Sequence, residues 1–548
     1  MLYYSHLLTH FWRLHSLLLD LFALFNYNKV MLKNQSRNLH TNASNNTRLK
    51  IWIKENYLIL LILLVSFIKG IVWVYAIPLL HAPDEHRHYA TIQYYAEPKN
   101  YKPMSHDFPL ENWNFFDFNT HNLSPELSNA TQNLSTQNLI NDTNFKDSFS
   151  ENSSFGPREN NIRNFKGSRF VEKYPPQIIN YSPLYYKITA FIENQLSIKN
   201  ANIIEKVTVI RIISVFILLL FIIISYLSFK ELSFTPIESA AMAGAISFQP
   251  MLTFIFSIIN VDALLILSFG IFLLGALHLL KNSWTVKNAS LLLGSTFLAI
   301  NTKPTGYFLA VASLLLIIFS LFLHQKEMIC SYFSIIKRSF FLLLVFFTSI
   351  VLIISTAGFL IFNQIHRYFE FAIRPFFIFK DYILYQLQPN IMLDRSLSYW
   401  GNFGSPNVPI NQVCIYFIWL ILVVAALGII LKIFLMLKNY HELDFQKKIL
   451  FFQLLFLFFM VIGLDFMMHY VNFLGANSSN FAAPFSSIGT PGRYFLPVIG
   501  AKFALITVGF STIFGNVSHK KIIFALLILM ILLNSIALFN CIIPHYYL

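Results

Sequence analysis

The feature that most constrains this chain is a series of apolar runs, each close to the 20 or so residues that cross the hydrocarbon of a bilayer. The first reads "LILLILLVSFIKGIVWVYAI", and in order the runs fall at 57–79, 208–229, 237–257, 261–280, 288–301, 305–323, 339–361, 413–436, 449–468, 494–514 and 521–542. In lipid only a helix or a closed barrel satisfies its own backbone, so the pattern predicts an all-α polytopic membrane protein of about eleven transmembrane helices. The run 288–301 is short enough to be half of a broken or tilted pair with its successor. Composition agrees: 56% of the 548 residues are hydrophobic and 12% charged, about half the charged fraction of a soluble protein.

The net charge of +14 does not point to nucleic acid. Lys50 and Lys54, Lys230, Lys281 and Lys287, the 326–338 loop, the 432–448 loop and Lys520 with Lys521 all fall on one side of alternating spans, which the positive-inside rule makes cytoplasmic. Residues 1–56 are then a cytoplasmic N-terminal segment, either an interfacial helix or sequence upstream of a start at Met31, and 57–548 the polytopic domain. The opposite side carries three loops, 81–207, 362–412 and 469–493. Within the first, 111–170 is rich in Asn, Ser and Thr and reads as a flexible, low-complexity insertion. Cys330, Cys414 and Cys541 lie far apart, with the spacing of neither a metal site nor a disulfide framework.

Chemistry-bearing residues gather on that opposite side. "HAPDEHRHYA" comes directly after the first span. Pro83 suits the first position of a helix, so Asp84 and Glu85 fall in its first turn and His88 shares a face with Asp84. Acidic residues there can simply favour the helix dipole. The crowding of Asp84, Glu85, His86, Arg87 and His88 exceeds what a cap needs, and a carboxylate against apolar walls has its pKa raised toward that of a general base. Before the second span, "KYPPQIINYSPLYYKITAF" sets Tyr181, Tyr185 and Tyr186 at headgroup depth, either an aromatic belt or a wall for a lipid-linked or sugar ligand. Arg211, Asp262, Lys303, Asp465, His469 and Arg493 each fall at the same end of their helices, with Lys502 deeper. Charges at a membrane edge tend to line functional cavities, and Lys303 and Arg493 have the chemistry to grip a phosphate. In 362–412, Arg367, Arg374, Asp394, Arg395, Tyr399 and Trp400 suit a carbohydrate or a loop packed on the membrane equally.

"PDEHRHYA", "PPQIINYSPLYY", "NVDALL", "KPTG" and "GRYFLPV" resemble a bacterial membrane family catalogued as domain of unknown function 2142, itself similar in layout to the GT-C glycosyltransferases. The resemblance covers about 55–515 less the Asn-rich insertion. It implies a GT-C-like fold in the bacterial inner membrane, Asp84 and Glu85 as catalytic acids, and Lys303 and Arg493 as phosphate contacts; the position of the remaining residues on the same face adds His88 to the catalytic group and Asp262, Tyr181 and Tyr185 to the substrate-binding one. The expected reaction moves a sugar from a polyprenyl-phosphate donor to a glycan, lipid or protein acceptor outside the bilayer. A divalent metal, Mg or Mn, held by Asp84 and Glu85 is compatible with carboxylate ligands. Two other classes stay open: a transporter or lipid flippase, whose coupling residues belong near the bilayer midplane, and a noncatalytic membrane assembly protein, in which the acidic motif is a helix start.

Overall fold

A computed structural model of the chain describes residues 45–97, 123–133, 162, 164–165, 182–196, 201–324, 374–404, 408–476, 484–489, 491–515 and 517–547. The chain divides into two compact units, 1–57 and 58–548. Of the first, only the helical stretch from Asn45 is described; the transmembrane bundle belongs to the second.

Among the described residues eight helices are long and apolar enough to cross a membrane: α1 (Asn45–Ala76), α5 (Ile203–Glu231), α8 (Asp262–Asn282), α10 (Pro304–His324), α13 (Gln412–Lys438), α14 (Phe445–Ala476), α15 (Ile499–Ile513, entered through a 3-10 turn Gly492–Val498) and α16 (His519–Ile536) with its continuation. The short run forms α9 (Val286–Ile300), a 15-residue helix. The run 237–257 is not one span. It breaks into α6 (Pro236–Ser247) and α7 (Pro250–Ile255), because Pro250 offers no N–H and holds the residue before it out of the helical region. Gln249 is accordingly extended, at φ −60 and ψ 124, and its side chain caps α7 by accepting from the Leu252 N–H. The expected span 339–361 lies outside the described residues.

Breaking a helix inside the hydrocarbon frees carbonyls that must find donors. Lys69 of α1 donates to the Ser247 carbonyl and to Thr253 Oγ1 at 3.0 Å, and Asn534 of α16 donates to the Phe248 carbonyl at 3.1 Å. Trp73 Nε1 holds the Asn534 side chain at 3.2 Å. Elsewhere α13 and α15 cross on small residues: a Cβ on Gly428 would run into the Gly509 carbonyl, and one on Gly509 into that of Ala425. Close backbone approach of this kind is how helices associate where hydrophobic burial gives no advantage over lipid.

Side-chain contacts sort the helix ends into two groups. Glu231, closing α5, receives His278 at 3.1 Å and Lys281 at 3.4 Å from the close of α8, and Gln453 near the start of α14 donates to the Glu231 and Leu277 carbonyls. At the other end the connecting segments fold into α2 (Glu85–Ala96), α3 (Pro125–Asn133), α4 (Leu184–Gln195), α11 (Arg374–Gln386) and α12 (Pro389–Trp400). The two-residue strands β1 (Asn402–Phe403) and β2 (Val408–Pro409) pair antiparallel beside them. α3 belongs to the Asn-rich insertion yet is anchored: Leu127 and Ala130 are fully buried, and Glu126 meets Lys206 of α5 at 3.1 Å.

Candidate functional site

The site starts from a sharp reversal after α1. Leu80 and Asp84 both take the left-handed conformation, at φ 60 and φ 58. The region is uncommon for non-glycine residues, Asp tolerating it better than Leu. Asp84 stands at the N-cap of α2 without a side-chain capping bond, and Glu85 opens the helix fully buried. Arg211 of α5 meets Glu85 in a bidentate pair, Nε to Oε1 at 2.8 Å and Nη2 to Oε2 at 2.6 Å. The Ile259 N–H donates to Oε1 at 3.0 Å. The remaining guanidinium hydrogens go to the Val74, Ile77 and Pro78 carbonyls at 3.0, 2.7 and 3.0 Å. All five donors of an arginine are thereby used, at the negative end of the α1 dipole. Glu85 and Arg211 thus tie the close of α1, the start of α2, α5 and the approach to α8 into one frame.

Asp84, next in sequence, has the opposite surroundings. Its side chain is 47% exposed, 3.3 Å from Arg87, and the apolar wall suggested by the sequence is not around it. His88, one turn on, is buried, with Nδ1 2.8 Å from the Tyr186 hydroxyl and its ring stacked on Tyr186. Burial lowers its pKa to about 4 against the upward pull of Asp84 and Asp262, with Lys303 and His86 adding a smaller downward push. His86 is lowered to about 4 as well, by burial and then by Arg87.

Asp262 and Lys303 join this field from the first turn of α8 and the turn before α10. Lys303 Nζ lies 2.8 Å from Asp262 Oδ1 and 4.3 Å above the Tyr494 ring. Arg493 lies 5.7 Å from the same ring, both within cation–π range. Asp84, His88, Asp262 and Lys303 therefore share one electrostatic neighbourhood, and Tyr494 carries Lys303 and Arg493. Tyr185 is elsewhere: it is 1% exposed, edge-on to Tyr186, with its hydroxyl beside Ser214 and the Asn260 backbone and its pKa pushed up by burial. It is an interior residue and not one of a headgroup-depth belt. Tyr181 lies outside the described residues.

For a divalent metal the donor set does not fit. Both Glu85 oxygens are taken by Arg211, and among the described residues no three His, Cys, Asp or Glu side chains converge. Two participants escaped sequence reasoning. Tyr494, inside the quoted "GRYFLPV", was overshadowed by its charged neighbour, and Lys69 was absorbed into an apolar run although a lone lysine there is itself a signal. Asp465, His469, Arg395 and Lys502 assemble separately, around Phe495 and Tyr399.

Comparison with curated proteins and with solved structures found no match. A family model described as "Predicted membrane protein (DUF2142)" matches residues 67–502, an interval that holds α2, the Asp262–Lys303 pair and the "GRY" turn. Matched over most of its length, this integral, multi-pass chain belongs to the DUF2142 family of predicted membrane proteins.

Proposed function

We propose that the protein is a membrane glycosyltransferase that moves a sugar from a polyprenyl-phosphate donor to an acceptor hydroxyl at the bundle end bearing Asp84. The acceptor is a glycan, a lipid or a protein, and the setting is the outer face of a bacterial inner membrane, consistent with the charge of the opposite loops. The observation that carries this reading is an accessible carboxylate, Asp84, in the same electrostatic field as Lys303, which Tyr494 holds beside Arg493.

In the proposed step the acceptor oxygen attacks the anomeric carbon, its proton passes to the Asp84 carboxylate, and the bond from that carbon to the phosphate oxygen breaks with its electron pair leaving on the phosphate. Lys303 and Arg493 stabilise the departing anion. His88, neutral near pH 7, orients the acceptor edge of the site through Tyr186. Glu85 contributes by holding the frame. The test is mass spectrometry of envelope glycans and polyprenyl-phosphate lipids in cells lacking the protein, complemented with wild type or Asp84→Asn. Loss of one sugar with accumulation of its lipid donor, restored by wild type alone, supports the reading. Full restoration by Asp84→Asn at normal expression removes it.

A second reading, transport or lipid flipping, has one specific observation behind it: Lys69 and the broken α6–α7 pair form a polar junction within the spans, a feature of transporter sites. Substrate accumulation in proteoliposomes that disappears in Lys69→Met while the fold survives would favour it.

A further inference from the structure

The second ionisable cluster packs against the Gly492–Val498 turn through Gly492 and Phe495. Arg395 on α12 donates through Nη1 to His469 Nε2 on α14. An arginine only donates, so His469 accepts at Nε2 and is neutral, leaving Nδ1–H to donate to the Tyr382 hydroxyl at 3.2 Å. Lys502 on α15 has its ammonium 4.0 Å above the Tyr399 ring and 5.7 Å from that of Phe495. Asp465 on α14 acts electrostatically on Lys502 and His469, yet among the described residues no carboxylate comes within 4.0 Å of Arg395 or Lys502. The group holds two half-buried cations, one carboxylate and a neutral imidazole, so one positive charge is left without a matching carboxylate among these four residues, and a partly desolvated unmatched charge is costly. The Tyr399 hydroxyl is buried there without a hydrogen-bond partner, and Tyr399 as a whole is 6% exposed.

A second observation adjoins it. Trp400 and Phe503, the residues immediately after Tyr399 and Lys502, line a narrow cleft with Ile418, Leu422, Ile506 and Met530 between α13, α15 and α16. Every lining side chain is apolar. Two cations and an unmet hydroxyl, on residues that adjoin in sequence the wall of an apolar slot between membrane helices, match a molecule with an anionic head and a hydrocarbon chain.

We propose that Arg395, Lys502 and the Tyr399 hydroxyl bind the phosphate ester of a membrane lipid whose chain enters this cleft. Arginine grips phosphate oxygens through paired N–H donors and lysine as a point charge. The turn that carries Arg493 is built against this site: a Cβ on Gly492 would strike the Arg395 carbonyl and the Tyr399 backbone. The site stands independently of the transferase reading, because its ligand is either a reacting polyprenyl phosphate or a resident phospholipid.

Native mass spectrometry of the purified full-length protein in detergent distinguishes these sources, using undecaprenyl phosphate, phosphatidylglycerol and uncharged diacylglycerol as probes. We expect one of the two phosphate lipids to bind, with at least a tenfold loss of affinity in Arg395→Met/Lys502→Met. The lipid that binds more tightly identifies the source. Equal binding by wild type and variant, no binding of either phosphate lipid, or no preference over diacylglycerol overturns the proposal. Should the double variant fail to accumulate, Tyr399→Phe decides, because deleting a buried hydroxyl without a partner leaves the fold intact. A several-fold loss of affinity at unchanged melting temperature supports the site, and unchanged affinity overturns it.

Discussion

Asp84 and Glu85 are adjacent acids whose surroundings differ completely, one 47% exposed beside Arg87 and the other sealed against Arg211. Sequence could not separate them, because the partner that decides the matter is 126 residues away from Glu85, on another helix. Asp262 and Lys303 were legible as individual charges at helix ends, while their pairing at 2.8 Å was not. Removing one partner of a buried pair costs about 3–5 kcal/mol. Glu85→Gln should therefore lower the melting temperature in detergent sharply, and Arg211→Met more so, since it also strips three carbonyls of their donors. Asp84→Asn should leave the melting temperature nearly unchanged. A Glu85→Gln protein that melts like wild type but has lost sugar transfer would reverse the roles given to the two acids. For His88 the folded pKa is about 4 against about 6.5 unfolded. Between those values the unfolded chain binds more protons, so stability is full above about pH 6.5 and declines as pH falls toward 4. Melting curves across that range should slope less steeply in His88→Gln than in wild type, and identical slopes would mean that His88 is not the buried neutral group described.

At the scale of elements, the apolar runs gave the long helices because periodicity hardly matters when a helix is buried or lipid-covered all round. The break at 248–249 was masked by the same property: hydropathy across 237–257 is continuous, and Pro250 was its only local sign. Helix contacts track small residues instead of hydrophobicity. Gly509→Ala places a methyl group against the Ala425 carbonyl and should cost about 1–3 kcal/mol by overpacking. Gly294 in α9 has open space around the position of a Cβ, so Gly294→Ala should be neutral or raise stability by up to about 1 kcal/mol through reduced chain entropy. Thermal melting of the two variants side by side checks both, and equal behaviour would mean that α13 and α15 do not cross as tightly as described.

Taken as a whole, the molecule is polarised from end to end. Lys281, His278 and Glu231 meet at one end, while Arg211, Asp262, Lys303, Arg395 and Arg493 stand at or near the other. That arrangement was legible early, since alternating loop charge depends on the order of spans and not on their contacts; among the described residues the contacts group Lys281 with Glu231, apart from the Glu85–Arg211 and Asp262–Lys303 pairs. The second cluster was less legible because Arg395, His469 and Lys502 come from three helices separated in sequence, each explicable alone as a snorkelling or capping residue. Polarity has a consequence for a reaction at the Asp84 end: that end must face the compartment opposite the lysine-rich loops. A cysteine introduced at Glu97, just past α2, should be labelled by a membrane-impermeant maleimide in intact cells, whereas one at Glu442, between α13 and α14, should be labelled only after the membrane is opened, each in a background with the native cysteines replaced. Reversed labelling would put Asp84 in the cytoplasm, where nucleotide sugars are available directly, and a polyprenyl-phosphate donor would lose its rationale. The expected pattern leaves a lipid-linked sugar as the form of donor that can reach an enzyme working beyond the barrier it spans.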